Sequence, residues 1–271
     1  MTGETAEVLI KMCGKPDIKR GSLWHDYNYP VGSGMYADIE YSGRRYRVVY
    51  RKKHRESKIS YEYAEYRDNN FYAFIFEPIM WRVLKTVGDT ALLVSAKLLD
   101  AQEFFAGEKR KIGDQVIYMN NYEYSYVRRW LNDMFFVTAF NDSEKSFIKT
   151  TSVCNAPQTT KKAPNPYCCS DTEDNVFLLS FEEAKTLFVD NKDRWKKATE
   201  YTKSQGCLAY KTHDAKFNNA GWWLRSPDHK YENCVRCVGY GGGMGDGGFS
   251  CANEPTCALE AIAPALCIKI R

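Results

Sequence analysis

Short runs of apolar residues, each ended by a glycine, a proline or a polar turn, recur along this chain of 271 residues. Residues 36–41 and 46–50 flank a Ser-Gly turn, which predicts a β-hairpin. Residues 79–84 and 91–95 flank a Gly-Asp turn and predict a second one, and the aromatic run 71–76 predicts another strand. These patterns do not alternate with long helical patterns, which disfavours a parallel sheet with crossover helices. We therefore expect an α+β fold of mainly antiparallel short strands with a few helices.

The helix signals are short and depend on capping residues. Ser125 can accept a backbone hydrogen bond at a helix start, and Asn141 and Ser180 each precede a glutamate by three residues, the spacing of a capping box. The predicted helices cover residues 4–12, 126–132, 141–150, 181–188 and 194–204. Residues 151–175 contain three prolines and many polar residues, which predicts a long loop. Further strands are predicted at residues 176–179, 221–225, 234–240 and 261–270.

The length and composition suit one large domain, because 44% hydrophobic residues can supply a sizeable core. Residues 1–35 mix glycine, proline, lysine and aromatic residues without a sustained period, so they predict a loosely structured lead-in. Residues 36–271 predict a single α+β domain that carries the first β-hairpin as an N-terminal extension.

The charge and the cysteines limit the classes of partner and compartment. The 38 basic and 34 acidic residues nearly balance, so we do not expect a nucleic-acid binder. The basic cluster within residues 44–58 is best explained as a solvated hairpin, since no phosphate-binding motif accompanies it. No apolar run could cross a bilayer, and the first 20 residues lack a secretory signal. We expect a cytoplasmic protein with reduced thiols, or a surface or phage-associated one if the start is not native.

Seven sequence blocks in a fixed order resemble one known family. The blocks are EPIMWRVL (77–84), ALLVS (91–95), VRRWLN (127–132), TAF (138–140), NVFLLS (175–180), GWWLRSP (221–227) and PAL (264–266). Together they resemble a bacterial domain family of unknown function that is found in many gut Firmicutes and their mobile elements. The resemblance covers residues 40–271.

The layout of that family is similar to the C-type-lectin-like fold shared by formylglycine-generating enzymes, in which a strand near the C-terminus returns beside earlier strands. The resemblance implies a compact α+β module whose irregular C-terminal half presents a ligand-binding surface. Some relatives with this fold are diversified binding proteins carried by retroelements. The last block of the family usually reads Val-Arg-Pro-Ala-Leu, whereas Ile262 and Ala263 precede Pro264 here, so an ionic role of the lost arginine is not expected.

The candidate ligand-binding residues lie in the block around Trp222 and in the glycine-rich segment that follows. Adjacent residues of a strand point to opposite faces, so one of Trp222 and Trp223 is expected in the core and the other partly exposed. Arg225 could hold an acidic ligand, but an arginine beside a Ser-Pro turn is better explained as bonding to backbone carbonyls. The predicted ligand-binding residues are Trp223, Arg225, Tyr240, Met244, Asp246 and Phe249. The predicted function is non-catalytic recognition of a protein or glycan ligand through this aromatic, glycine-rich surface.

Two other functions stay open. The cysteines at 234, 237, 251 and 257 have the number but not the spacing of a four-thiolate zinc site. Formylglycine-generating enzymes bind copper through two cysteines, which makes Cys251 and Cys257 the candidates for a thiol- or metal-dependent enzyme of that type. The chain would also suit a structural component of a phage or mobile element. No serine lies in a nucleophile elbow and no phosphate loop is present, so we assign no catalytic residue, cofactor or metal, and the oligomeric state stays open.

Overall fold

The chain folds into small sheets of short, mostly antiparallel strands with a few helices, which confirms the α+β prediction. The computed structural model describes residues 3–19, 21–27, 34–51, 66, 69–105, 107, 109–207, 209–211, 218–245, 249–251 and 260–270. For residues 209–211, 218 and 249–251 it describes the backbone alone.

The N-terminal part is a four-stranded antiparallel sheet with its strands in chain order. Its elements are the helix α1 (Gly3–Cys13) and the strands β1 (His25–Asp26), β2 (Gly34–Tyr41), β3 (Arg44–Arg51) and β4 (Phe71–Ile75). β2 and β3 form the predicted hairpin and pair over eight residues. Ser42 and Gly43 have φ values of 50° and 70° in its turn, a backbone that suits the twist of two paired strands.

This sheet has a hydrophobic core of its own. α1 packs against β2, β3 and β4, and its Leu9 is fully buried there. Trp24 is also buried, and its Nε1 donates to the Cys13 carbonyl at 2.9 Å. The predicted helix at residues 4–12 is confirmed, but these contacts make the described part of residues 1–35 a packed structure and not a loose lead-in. The proposed division into domains stays a prediction.

The described residues after β4 form two larger sheets and three two-stranded hairpins. The strands are β5 (Trp81–Val87), β6 (Thr90–Ser95), β7 (Asp100–Ala101), β8 (Arg110–Ile112), β9 (Gln115–Ile117), β10 (Ile148–Lys149), β11 (Thr151–Val153), β12 (Thr172–Asp174), β13 (Ala209–Lys211), β14 (Asn218–Ala220), β15 (Trp222–Pro227), β16 (Cys234–Val238), β17 (Phe249–Cys251), β18 (Ala261–Ile262) and β19 (Ala265–Lys269). One larger sheet has the order β10-β19-β6-β5, and the other has the order β17-β16-β15-β18-β7. β8 with β9, β11 with β12 and β13 with β14 form the hairpins.

Both larger sheets contribute buried residues to the main hydrophobic core. β5 and β6 form the second predicted hairpin. β19 returns from the C-terminal end of the chain and pairs with β6 over five residues. β15 lies inside the other sheet between β16 and β18, and all six of its residues are buried. The predicted C-terminal strand at residues 261–270 is two strands, β18 and β19, that belong to different sheets and are separated at Ala263 and Pro264.

The helices of this part are short, and a capping side chain marks the start of each one except α3 (Phe136–Ala139). They are α2 (Tyr126–Trp130), α3 (Phe136–Ala139), α4 (Asp142–Lys145), α5 (Phe181–Thr186) and α6 (Glu200–Ser204). Ser125, Asn141 and Ser180 cap α2, α4 and α5 as predicted, the last two in capping boxes. The sequence did not predict the π-helical turn Leu131–Phe135 between α2 and α3. Asn132 stabilises this turn, because its Nδ2 donates to the backbone carbonyls of Arg128 and Val176, each at 3.0 Å.

Two predicted helices are longer than the helices in the structure. The helix predicted at residues 141–150 ends at Lys145, and Phe147, which follows it, is 43% exposed. The helix predicted at residues 194–204 begins only at Glu200, because Lys197 and Ala198 form isolated β-bridges with Asn219 and Leu98. Backbone pairing with distant segments therefore replaces helical hydrogen bonds at these positions.

The prediction of a long loop at residues 151–175 is wrong in part, because β11 and β12 pair within it. Polar side chains hold the connection between the two strands. Asn155 is buried, its backbone N–H donates to Asp171 at 2.8 Å, and its Nδ2 donates to the Ser170 carbonyl at 2.9 Å. Asn165, also buried, donates to the Pro227 carbonyl at 3.1 Å. Such bonds give the backbone of an irregular segment the partners that regular structure would supply.

Candidate functional site

Trp222 and Trp223 are both buried, at 0% and 2% exposure, so the prediction that one of them is partly exposed is wrong. Strand alternation separates their faces, but both faces of β15 are covered, as in a central strand of a layered domain. The Nε1 of Trp223 donates to the Gln102 carbonyl at 2.9 Å, and the Nε1 of Trp222 donates to the Arg194 carbonyl at 3.2 Å. Trp223 therefore cannot offer a ring to an outside ligand without a change of the core.

Arg225 has the structural role that was favoured over ligand binding. Its side chain is 2% exposed, and the guanidinium donates to the Leu178 carbonyl at 2.8 Å and to the Cys154 carbonyl at 3.0 Å. It also forms an ion pair with both carboxylate oxygens of Glu183. Burial alone would raise the pKa of Glu183, but the charge and hydrogen bonds of Arg225 outweigh it, so this pKa is lowered. The pair fastens β15 to the start of α5 and to the end of β11.

The glycine-rich segment is held by two buried arginines where it is described. The Nε of Arg194 donates to the Gly242 carbonyl at 2.8 Å, and Arg236 donates to the carbonyls of Met244 and Gly245. Of the predicted ligand-binding residues here, Tyr240 is 45% exposed, while Met244 is half-buried and packs on the main core. Asp246 lies outside the described residues, and the side chain of Phe249 does too. The structure thus does not assemble the six predicted residues on one surface.

The cysteine candidates are only partly described. Cys234 and Cys237 are buried in β16, and the backbone register places Cys234 opposite Cys251 of β17. Cys257 and the side chain of Cys251 lie outside the described residues. Within the described ranges, no three His, Cys, Asp or Glu side chains are grouped so that they could hold a metal ion. Burial raises the pKa of the Cys168 and Cys169 thiols to about 11, which disfavours the reactive thiolate at those positions.

A cleft of about 1230 Å³ lies between the N-terminal sheet and the helices of the larger part. Its walls come from β2, β3 and β4 on one side and from α2, α3, α6 and the π-helical turn on the other. Residues 76–80, which connect β4 to β5, and Trp81 of β5 also line it. None of the six predicted ligand-binding residues is among those lining this cleft.

One end of the cleft carries a fixed polar network. Arg47 of β3 donates to both carboxylate oxygens of Asp38, at 2.7 and 2.8 Å, and to the Tyr201 hydroxyl at 3.2 Å. Tyr201 in turn donates to the Tyr27 hydroxyl at 3.1 Å. The guanidinium of Arg47 stacks 4.2 Å from the ring centre of Tyr36. Such a bidentate and stacked arginine has little freedom, so the polar end is ordered without a ligand.

Asp100 of β7 is a buried carboxyl at this polar end. It is 5% exposed and accepts a hydrogen bond from the Ala101 backbone N–H at 2.7 Å. Burial raises the pKa of Asp100 to about 7, although that hydrogen bond and the charge of Arg47 act in the opposite direction. Burial also raises the pKa of Tyr27 and Tyr201, so both phenols stay protonated at physiological pH.

The other end of the cleft is aromatic and apolar. The rings of Trp81 and Phe140 stack with centroids 6.0 Å apart, and Phe135 meets Phe140 edge-on at 5.9 Å. Phe135 belongs to the π-helical turn, a rare backbone form that is frequent at functional sites. Met80 and Val137 also line this end and are 69% and 64% exposed. A ligand that fills the cleft would meet hydrogen-bonding groups at one end and apolar rings at the other.

A family model described as "Domain of unknown function (DUF6273)" matches residues 88–270, which is more than half of the chain. The chain belongs to this family. The DUF6273 span begins directly before β6 and ends directly after β19, two strands that pair side by side. The expected membership in a family of unknown function is confirmed for residues 88–270. The N-terminal sheet and the block at 77–84 lie outside the match. No curated protein and no solved structure matches the chain.

The cleft thus lies where the N-terminal sheet meets the DUF6273 domain, and sequence patterns missed it. The basic hairpin arm was expected to be solvated, but the Arg47 side chain is only 15% exposed because it pairs with Asp38. Trp81 and Phe140 lie in two of the sequence blocks, and these aromatic residues were the sequence signal from which the apolar end of the cleft could have been predicted. No helix in the described part of the chain is both long and apolar enough to span a bilayer.

Proposed function

We propose that the protein is a non-catalytic binding module whose protein or glycan ligand lies in the cleft between the N-terminal sheet and the DUF6273 domain. The observation that carries this proposal is a large cavity with two chemically different ends. Ligand sites in proteins are typically concave and aromatic, with a few fixed polar groups that orient the ligand. Arg47 and Tyr201 supply such groups at one end, and Trp81 and Phe140 supply rings at the other.

The order of the polar side chains and the exposure of the apolar ones support a binding site and not merely a gap between two parts of the fold. The guanidinium of Arg47 is already held by Asp38 and Tyr201. Ligand binding would therefore cost little conformational entropy at this side chain. The apolar end leaves Met80 and Val137 largely exposed to water. Clustered apolar side chains at an exposed rim are typical of interaction sites.

The glycine-rich surface is a second placement for the ligand and rests on Tyr240. Its ring is 45% exposed, and the segment that carries it is held by Arg194 and Arg236. Trp223 and Arg225 no longer support this placement because both are buried.

The proposal includes a C-type-lectin-like arrangement of the DUF6273 domain. Its support is the return of β19 beside β6, the pairing of first and last strands that the family resemblance implies. An experimental structure would test this point, and a strand order unlike that of lectin-like domains in residues 88–270 would refute it.

A pair of valine variants tests the cleft. Val137 lines it and is 64% exposed, whereas Val189 is 93% exposed and does not line it. Ligands for the wild-type protein would first be selected from a random peptide display library and from a glycan array. We expect Val137→Glu to weaken their binding about tenfold or more, because it places a charge among apolar rings. Val189→Glu should bind as the wild type does.

The same ligands distinguish the two placements. Equal affinity of the Val137→Glu and Val189→Glu variants would show that the cleft is not the site. Loss of binding in Tyr240→Ala, with Val137→Glu unaffected, would place the ligand on the glycine-rich surface. Circular dichroism and thermal unfolding would establish that each variant is folded.

A further inference from the structure

Among the residues that the structure describes, β4 is the last strand of the N-terminal sheet, and its outer edge runs along the cleft. Its inner edge pairs with β3 over five residues. The Phe76 N–H donates to the Arg45 carbonyl and the Arg51 N–H donates to the Asn70 carbonyl, each at 3.0 Å. Because hydrogen-bonding direction alternates along an antiparallel strand, even-numbered residues of β4 direct their backbone groups to β3. The backbone groups of the odd-numbered residues, Phe71, Ala73 and Ile75, point to the other side.

The outward groups of β4 have no hydrogen-bonding partner among the described residues. Ala73 and Ile75 line the cleft, so this row of N–H and C=O groups borders the cavity. Proteins usually protect such edges with lysine, proline or a charged side chain within the strand. The sequence of β4, Phe-Tyr-Ala-Phe-Ile, contains none of these. Within the described part of the chain, this edge is therefore open to pairing.

The side chains of β4 give the cleft a matching apolar surface. Phe74 and Phe76 line the cleft, and the ring of Phe74 meets Tyr201 edge-on at 5.5 Å. Phe71, Ala73 and Ile75 instead pack on the core beneath α1. A strand added to this edge would therefore direct every second side chain toward the aromatic rings of the cleft.

We propose that the ligand of the cleft is an extended polypeptide segment of a partner protein, which adds to β4 as a fifth strand of the N-terminal sheet. This inference rests on the proposed function of the cleft and specifies the class of ligand. A polypeptide backbone repeats its donors and acceptors at the spacing that the outward groups of β4 require, and a glycan does not. The segment carries apolar or aromatic side chains at alternate positions, because these face Phe74 and Phe76.

A proline at Ala73 tests strand addition directly. Ala73→Pro removes an outward N–H and places the ring of proline at the edge, but it removes no hydrogen bond to β3. The control is Ala73→Ser, which keeps the N–H. The probes are twelve-residue peptides selected on the wild-type protein from a random display library and then synthesised. We expect Ala73→Pro to bind them at least about tenfold more weakly than the wild type and Ala73→Ser to bind them within about twofold.

Amide exchange gives a second readout on the unmodified protein, which does not depend on the folding of the proline variant. Nuclear magnetic resonance would follow the amides of β4 with and without a selected peptide. We expect the amides of Ala73 and Ile75 to become protected, whereas those of Tyr72 and Phe74 are protected already by β3.

Each contrary outcome overturns strand addition. One such outcome is that the wild-type protein selects no peptide from the display library. Another is that it binds only glycans. A third outcome is that Ala73→Pro binds with full affinity, that no new protection appears at Ala73 and Ile75, and that Val137→Glu loses binding. This result would leave the cleft as the site and refute the added strand. A dimer that Ala73→Pro converts to a monomer in sedimentation equilibrium would show that a second copy of the chain occupies this edge instead.

Discussion

Replacing Arg225 with methionine tests the buried ion pair that joins β15 to α5. The variant keeps an apolar stem but removes the donors to Glu183, to the Leu178 carbonyl and to the Cys154 carbonyl. Breaking a buried ion pair costs about 3–5 kcal/mol, and the 33% exposure of the Glu183 side chain lets water compensate part of that cost. Each carbonyl that loses a charged donor adds about 1 kcal/mol. We expect Arg225→Met to lower the free energy of unfolding by about 4 kcal/mol near neutral pH.

The pH dependence of this loss follows from the lowered pKa of Glu183. A carboxyl whose pKa is lower in the folded state stabilises the fold above its unfolded pKa, about 4.3. That stabilisation is lost as the pH falls through the folded value. The difference between wild type and Arg225→Met should therefore be full at pH 6–7 and shrink at pH values below about 4.

Urea unfolding followed by tryptophan fluorescence would measure both effects. The control is Lys185→Met, which breaks the exposed pair of Lys185 with Glu182, 3.7 Å apart, and should change the unfolding free energy by less than about 0.5 kcal/mol. Arg225→Lys keeps the charge without the planar fork and should fall between wild type and Arg225→Met. A loss below about 1 kcal/mol for Arg225→Met, or one that is the same at pH 3.5 and pH 7, would refute the reasoning.

Two further predictions concern stability. Gly242 has a φ of 74°, and a Cβ there would collide with the Asn191 carbonyl. Gly242→Ala should therefore lower the free energy of unfolding in urea by about 2 kcal/mol or more. The control is Gly241→Ala, at a position with open space and no positive φ, which should lower it by less than about 1 kcal/mol. Burial raises the pKa of Asp100 and of Glu103 to about 7, so the folded state binds more protons than the unfolded state between about pH 4 and pH 7. Stability from these groups is thus present at acid pH and declines as the pH rises through this window. Asp100→Asn and Glu103→Gln should each reduce this decline of the unfolding free energy by up to about 1.4 kcal/mol per pH unit. Variants whose unfolding free energies follow the pH profile of the wild type would contradict the raised pKa values.

Local signals in the sequence predicted the parts of the fold that depend on neighbouring residues. The hairpins β2–β3 and β5–β6 follow from a turn between two strand patterns, and the caps at Asn141 and Ser180 follow from a spacing of three residues. The π-helical turn had no such signal, because Asn132 stabilises it through the carbonyl of Val176, a residue 44 positions away. The end of the helix at Lys145 and the strands within residues 151–175 likewise depend on contacts with distant segments.

The burial of both tryptophans and the presence of the cleft were not predicted for the same reason. The rule that adjacent strand residues face opposite sides is correct for Trp222 and Trp223, but it does not reveal that both sides of β15 are covered. The cleft brings Tyr27, Arg47 and Tyr201 together from distant parts of the chain. No local pattern connects residues so far apart. The bonding role of Arg225 could be predicted because it depends on the chemistry of one side chain beside a turn.

Hydrogen–deuterium exchange with mass spectrometry, on the wild-type protein with and without its selected ligands, would locate the binding site most directly. If the ligand lies in the cleft, exchange should slow in peptides that cover residues 71–81 and 130–141, and residues 234–245 should exchange as they do in the free protein. Slower exchange confined to residues 234–245 would contradict the cleft and place the ligand on the glycine-rich surface around Tyr240.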